Sequence, residues 1–330
     1  MIKTVLVTGG AGYVGSHTCY LLQQAGMEVI SVDLQEAKHS FFQEHFVGNF
    51  ADEVLLTSIF QKYSIQCVFH LAAWLDVHES THDANKYYVN NISNTIRLLS
   101  FMLSAGCLNF VMSSTCATLG SPSAEELPVT EETPPRPESV YGKSKLLSEM
   151  ILEDYHRIHG LNYASLRYFN VAGATPEHML GDLNNCELHL IPVVVGRATS
   201  GKPFSIFGSD YDTRDGTCVR DYLHPMDVAD AHVRCCQYFD QGGESGVFLL
   251  STGTGLTVAE VVDSVERIYE AKIDVHYAPR REGDACAIYG NPAKAKRLLG
   301  WEPKHSDIDN IIRTELEYHR KRQEQQESSV

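Results

Sequence analysis

The chain has 330 residues, 43% hydrophobic and 21% charged, which is the balance of an ordinary globular protein with room for about two domains. A net charge of -15 without a basic stripe argues against a nucleic-acid partner, because such a surface repels a phosphate backbone. No apolar run reaches the ~18 residues of a membrane span, and glycines follow Met1 too soon for a secretion signal, so we expect a cytoplasmic protein with no membrane partner.

The first apolar run, Thr4 to Thr8, leads through a glycine turn into a helical pattern from Tyr13 to Gln24, and a second strand follows from Val29 to Asp33. Further strands are expected at Cys67 to Ala72, Asn109 to Ser114 and Tyr163 to Tyr168, with helices near Asp52 to Tyr63, Asp83 to Ser104 and Ser139 to His159. Strands that alternate with helices of this length predict an α/β fold, a Rossmann-type doubly wound parallel sheet covered on both faces. After Asn170 the alternation gives way to turns at Pro192, Gly201, Pro203, Gly208 and Gly216, where a smaller C-terminal α/β substrate domain is expected to begin. A helix near Asp227 to Phe239 and a strand near Val247 to Ser251 would return to the first sheet. The expected division is therefore discontinuous: residues 1–172 and 222–252 in the nucleotide-binding domain, 173–221 and 253–330 in the second. A final helix from Asp307 to Arg322 would end in a frayed polar tail.

The 9 cysteines (Cys19, Cys67, Cys107, Cys116, Cys186, Cys218, Cys235, Cys236 and Cys286) contain no C-x-x-C pair, the pattern of reduced core thiols rather than of a disulfide framework or zinc site. His78 and His82 are spaced to share a helix face. Without an HExxH context they fit a polar patch at a site rim better than a metal pair, and no metal is expected. The sequon at Asn91 stands in a chain without a secretory context.

Gly9, Gly12 and Gly15 fall between the first strand and the first helix, where glycines permit a tight turn and let backbone amides meet a pyrophosphate at a helix N-terminus. Asp33 ends the second strand about 20 residues on, as a dinucleotide fingerprint requires. Its carboxylate would bind ribose hydroxyls and repel a 2′-phosphate, so the expected cofactor is NAD rather than NADP. Tyr141 and Lys145 form a Y-x-x-x-K pair on one helix face, where a lysine ammonium would stabilise a phenolate and equip the tyrosine as a general base. Thr115, after the strand end, would share the proton or simply cap a turn. Asn90 either structures the site through backbone bonding or stands exposed on its helix.

Nearly end to end, the sequence resembles the UDP-glucose 4-epimerase (UDP-galactose 4-epimerase) family of extended short-chain dehydrogenases/reductases. The resemblance rests on VTGGAGYVGSHT, VFHLAA, YYVNN, NFVMSST, YGKSKLLSE, LRYFNVAGA, HLIPVVVGRA, the stretch from IFGSDYD to DVADAH, and APRREGDA. It implies an NAD-dependent isomerase of carbohydrate metabolism. Tyr141, Thr115 and Lys145 would oxidise C4 of a UDP-sugar to a 4-keto sugar, which rotates and is reduced on its other face. The cofactor contacts implied are Gly9, Gly12, Tyr13, Val14, Gly15, Asp33, Leu71, Ala72, Ala73, Asn90, Ser113, Tyr141, Lys145, Tyr168 and Phe169. Those implied for the UDP-sugar are Thr115, Asn170, His189, Leu190, Ile206, Phe207, Arg220, Tyr222, Arg281, Asp284 and Ile288. The resemblance also implies a homodimer paired through the helices Asp83 to Ser104 and Ser139 to His159.

The sequence departs from the family pattern in several places. Thr115 stands where serine is common, Asn49 where aspartate is, and Leu75 where a lysine near the cofactor phosphates is. Cys116-Ala117-Thr118-Leu119 replaces Ala-Thr-Val-Tyr. Ile288 replaces a tyrosine of many glucose-restricted members, which leads us to expect some turnover of N-acetylated UDP-sugars as the alternative specificity. Other readings on this fold are a 4,6-dehydratase or decarboxylase, which would need acids where Cys116 and Ala117 stand, and a non-catalytic NAD-binding sensor, which would have less need of both Tyr141 and Lys145.

Overall fold

A computed structural model describes residues 1–182, 189–281 and 283–327; Cys186 lies outside them. In chain order the strands are β1 (Thr4–Thr8), β2 (Glu28–Asp33), β3 (Glu44–Val47), β4 (Cys67–His70), β5 (Asn109–Ser113), β6 (Asn162–Tyr168), β7 (Asn170–Val171), β8 (Phe204–Phe207), β9 (Val219–Arg220), β10 (Tyr222–Leu223), β11 (Gly246–Leu250), β12 (Leu256–Thr257), β13 (Val275–Ala278) and β14 (Ala287–Ile288). The helices are α1 (Tyr13–Gln24), α2 (Glu53–Lys62), α3 (Val77–Ser80), α4 (Ala84–Tyr88), α5 (Asn94–Ser104), α6 (Val140–His159), α7 (Leu190–Ser200), α8 (Pro225–Asp240), α9 (Val258–Tyr269), α10 (Ala293–Leu299) and α11 (Ile308–Glu327).

Seven parallel strands form the main sheet in the order β11-β6-β5-β4-β1-β2-β3. Because side chains alternate along a strand, Val5 and Val7 join the core beneath α1, α8 and α10, while Leu6 joins the opposite core beneath α2, α5 and α6. The same alternation runs through Cys67 and Phe69 against Val68, and Val111 against Phe110 and Met112. Each buried aliphatic side chain contributes roughly 1.5–3 kcal/mol, so reversing the register of any one strand would turn its whole apolar set to the wrong layer.

Beyond β6 a third core gathers Val194 and Val195 of α7, Phe204 and Ile206 of β8, Val261 and Val265 of α9, and Ile311 and Ile312 of α11. Small sheets serve this part: β12-β9-β14, β13-β8, and the pair β10-β7 that joins it to the end of β6. The sequence pattern missed α7, α9, α10 and β3, because the glycines and prolines after Asn170 concealed helices and because Glu44–Val47 is a half-exposed edge strand. The stop of α9 is on Glu270 in a left-handed conformation, and its start is a capping box between Thr257 and Glu260.

Two expected elements differ. The helix expected from Asp83 to Ser104 is interrupted by a π-helical turn over Val89–Ser93. The last helix runs to Glu327, so the QEQQE segment expected to fray is helical. Asn91 of the sequon is buried, which removes it as a glycosylation site. No helix among the described residues is long and apolar enough to cross a membrane.

Candidate active site

The C-terminal ends of the main-sheet strands open into one cavity of about 3110 Å3, shared between the sheet and the part built on β8, α7 and α11. Parallel sheets place ligands at this edge, where successive connections diverge.

One end of the cavity is made by the β1-to-α1 turn. Gly9 has φ +77°, and a Cβ on it would lie 2.6 Å from the Ala72 nitrogen. A Cβ on Gly15 would lie 1.9 Å from the Gly9 carbonyl oxygen, so α1 sits against its own entry loop at a distance only glycine allows. Gly12 caps α1 without any side-chain bond, leaving the first amides of Tyr13 and Val14 for a ligand phosphate. Asp33 accepts hydrogen bonds from the amides of Ala11 and Gln35, each at 3.1 Å, which fixes its carboxylate at the cavity wall. Gly9, Gly12, Tyr13, Val14, Gly15, Asp33, Leu71, Ala72, Ala73 and Asn90 all line the cavity, so a glycine cradle, free helix amides and a ribose-level carboxylate lie together as a dinucleotide requires.

The middle of the cavity is floored by the end of β5 and the start of α6. Ser139 caps α6 by accepting from the Gly142 amide at 3.0 Å, and Ser80 accepts from the Tyr141 amide at 3.2 Å. Thr115 accepts from the Ala117 amide at 3.1 Å and caps the short turn over Cys116–Thr118. Its side chain stands beside the Tyr141 phenol and favours the phenolate against burial. Lys145 is buried and donates to the Ser113 carbonyl at 2.8 Å; Ser113 bonds Tyr168 through their hydroxyls.

Electrostatics here are governed by burial. Burial pushes the Tyr141 phenol well up, with Tyr168 adding to it and Thr115 opposing. Burial thus opposes the phenolate that the Y-x-x-x-K pair is read to favour. Burial also takes Lys145 down to about 8, against the favourable charge of Glu149.

The far end is cationic and aromatic. Arg220 donates to the Ala285 carbonyl at 2.8 Å and faces Asp284 at 3.6 Å, while Arg281 stands 3.8 Å over the Phe207 ring. Asn170 donates to the Asp221 carbonyl at 3.0 Å. His189 starts α7 without a side-chain cap, and the buried Tyr222 hydroxyl has no hydrogen-bond partner among the described residues. Leu190, Ile206, Asp284, Tyr168 and Phe169 complete the lining.

Ile288 is the exception among the site residues. It is packed with Leu119, Val129, Phe169 and Leu249 in a separate apolar cluster and is not among the cavity-lining residues. Its place on β14, hydrogen-bonded beside β9, draws it into that cluster, behind the cavity-lining Phe169. For Asn90 the sequence left a structuring role and an exposed helix position both open, and it did not single out Asn91. Asn90 reaches the cavity, but Asn91 does the bonding: it donates to the Ser144 hydroxyl and to the Trp74 carbonyl at 3.0 Å and accepts from the Trp74 amide at 3.0 Å. The doubled asparagine was the signal, and only the π turn decides which one points inward. His78 and His82 meet ring to ring at 4.9 Å on the cavity rim, and no cluster of three metal-binding side chains occurs among the described residues.

Known proteins match this arrangement along almost the whole chain. A UDP-glucose 4-epimerase of Rhizobium meliloti is 41% identical over 324 residues, 97% of this chain and 98% of the relative. The structure of a UDP-glucose 4-epimerase from Brucella ovis in complex with NAD superposes with a TM-score of 0.91 at 38% identity, covering 96% of this chain and 98% of that one. A UDP-glucose-4-epimerase from Stenotrophomonas maltophila, solved with NAD and formylated UDP-arabinopyranose, gives 0.93 at 33% identity, covering 98% and 99%. With residues 5–251 matching the family as a whole, the chain belongs to the NAD dependent epimerase/dehydratase family.

Proposed function

We propose that this protein is an NAD-dependent 4-epimerase that interconverts UDP-galactose and UDP-glucose. The observation that carries the reading is the gathering of Thr115, Tyr141 and Lys145 on the floor of a cavity with a dinucleotide cradle at one end and two arginines at the other.

Gly9, Gly12, Gly15 and Asp33 would hold NAD, which would supply the hydride acceptor for sugar C4 and the donor for its return. Tyr141, as phenolate, takes the proton of the 4-hydroxyl while Thr115 shares it, and the same oxygen returns that proton after the sugar has turned. Lys145, protonated, favours the phenolate and is held at the Ser113 carbonyl. Arg220 and Arg281 hold the diphosphate by charge-assisted bonds, and the Phe207 face receives the uracil once Arg281 moves to the diphosphate. Asn170, His189 and Tyr222 complete the nucleotide grip. Anchoring only the uridine diphosphate leaves the hexose free to present either face to the cofactor.

Cys116 and Ala117 stand where a dehydratase or decarboxylase would carry acids, and the presence of both Tyr141 and Lys145 speaks against a silent sensor. The division into residues 1–172 with 222–252 and 173–221 with 253–330 would then separate cofactor grip from sugar grip, in a cytoplasmic enzyme. A homodimer is supported by Ile96 of α5, Val89 of the π turn, and Leu147, Met150 and Ile158 of α6, apolar side chains that stand exposed on adjacent helices.

The test is proton NMR of UDP-galactose with the purified protein and catalytic NAD. Accumulation of UDP-glucose to a fixed ratio, without stoichiometric NADH, supports the reading. Loss of the sugar to a stable keto product, or no change, contradicts it.

A further inference from the structure

Below the reacting groups, one turn further along the face of α6 that carries Tyr141 and Lys145, three elements meet at a buried carboxylate. Glu149 lies one turn after Lys145 and is 5% exposed; Arg167 of β6 is also 5% exposed. Arg167 grips Glu149 with both ends of its fork, Nε to Oε1 at 3.0 Å and Nη2 to Oε2 at 2.6 Å. Into the same carboxylate the Ser114 hydroxyl donates at 2.5 Å. Ser114 in turn donates its amide to the Leu166 carbonyl at 2.8 Å, and its neighbours are Ser113, whose carbonyl receives Lys145, and Thr115, which stands beside Tyr141. The family reading of the site assigns none of these three residues a role in the reaction.

Burying a carboxylate and a guanidinium is costly, and an apolar pair of similar volume would serve stability as well or better. What an apolar pair could not supply is a fixed bond from α6 to the end of β5 and a negative charge one turn from the lysine. We propose that Glu149 is the positioning residue of this site: locked by Arg167, it ties Ser114 to α6 and holds Lys145 as an ammonium beside the Ser113–Thr115 segment. The inference rests on the epimerase reading above.

The groups around this junction are few. Lys145 faces His70 of β4, which burial holds down to about 3 and which therefore carries no charge. Tyr141 lies on α6 and Tyr168 on β6, both held neutral by burial. Glu149 is thus the charge that favours the ammonium while burial opposes it. Neutralising Glu149 should lower the pH at which Lys145 loses its proton, and the basic limb of the rate profile should move with it.

The experiment compares the parent holoenzyme with Glu149→Gln, the double variant Glu149→Gln with Arg167→Met, and Ser114→Ala, following kcat and KM for UDP-galactose between pH 6 and 10. Because Glu149→Gln alone strands a buried guanidinium, the double variant provides a folded protein without either charge. The expected result is full NAD content, a KM within about twofold, kcat reduced about tenfold, and a basic limb displaced downward by about half a pH unit or more. Ser114→Ala should lower kcat severalfold with the limb unmoved. A double variant that folds and keeps the parent kcat and limb overturns the inference. So does a loss of kcat that merely follows lost NAD while the limb stays in place, since that is what a structural role gives. Should the double variant not fold, an unchanged kcat in Ser114→Ala overturns it instead. A parent inert toward the substrate overturns the epimerase reading, and the inference with it; an active parent with unaltered variants overturns the inference alone.

Discussion

At the scale of residues, the site works against its own solvation. Tyr141 is made a weaker acid by burial and Lys145 a weaker base, so the pair can exchange charge only through local hydrogen bonds and the bound cofactor. Tyr141→Phe should keep bound NAD and lose about 10²–10⁴-fold in kcat, measured by steady-state epimerisation against absorbance of the released cofactor. Lys145→Met should lose activity and yet gain stability, on the order of 2 kcal/mol at pH 7, by removing a buried charge. The sign follows from the lowered lysine. Its burial penalty is fully present below about 8, where it is protonated in both states, and fades as pH rises toward the lysine's ordinary range. Denaturant melts at pH 7 and pH 9.5 should therefore show the stability gain shrinking at the higher pH. Tyr141, Lys145 and Asp33 were legible from spacing alone, because their chemistry depends on local geometry. Ile288 was not, because whether a strand residue faces a cavity or a core depends on the strand beside it.

At the scale of elements, the entry to α1 is the most constrained piece of backbone in the site. Gly15→Ala would drive a methyl onto the Gly9 carbonyl, so the loop must open and the amides must leave their pyrophosphate geometry. The expected outcome is a protein with most of its bound NAD lost and a lower melting temperature, seen by cofactor extraction and calorimetry. A normal NAD content would mean that the helix start is not the phosphate site. The π turn at Val89–Ser93 is the second such element: it turns Asn91 inward to hold Trp74 and Ser144, and so joins the loop after β4 to α6. The main strands and helices up to β6 were legible because their hydrophobic periods are local. The π turn was not, since its extra residue leaves no mark on the apolar period, and α7 and α9 were hidden by the turn residues around them.

At the scale of the molecule, exposed apolar residues stand on α5 and on α6, the helix that also carries Tyr141, Lys145 and Ser144. Met150→Asp with Ile158→Asp should convert a dimer to monomers in analytical ultracentrifugation, because a charge buried in an apolar contact has no partner there. A parent that is already monomeric, or a mass unchanged by the substitutions, would contradict the pairing proposed above. The parallel sheet with its late returning strand β11 was legible in outline, while the cavity shared with α7 and α11 was not, since it depends on how two separately packed cores meet. The central claim is that one cavity oxidises and re-reduces the same carbon. Its most direct test is UDP-galactose carrying deuterium at C4, converted by the holoenzyme and read by NMR. UDP-glucose with the deuterium retained at C4 is the expected product; deuterium lost to solvent, or an accumulating 4-keto sugar, would rule out return of the same hydride.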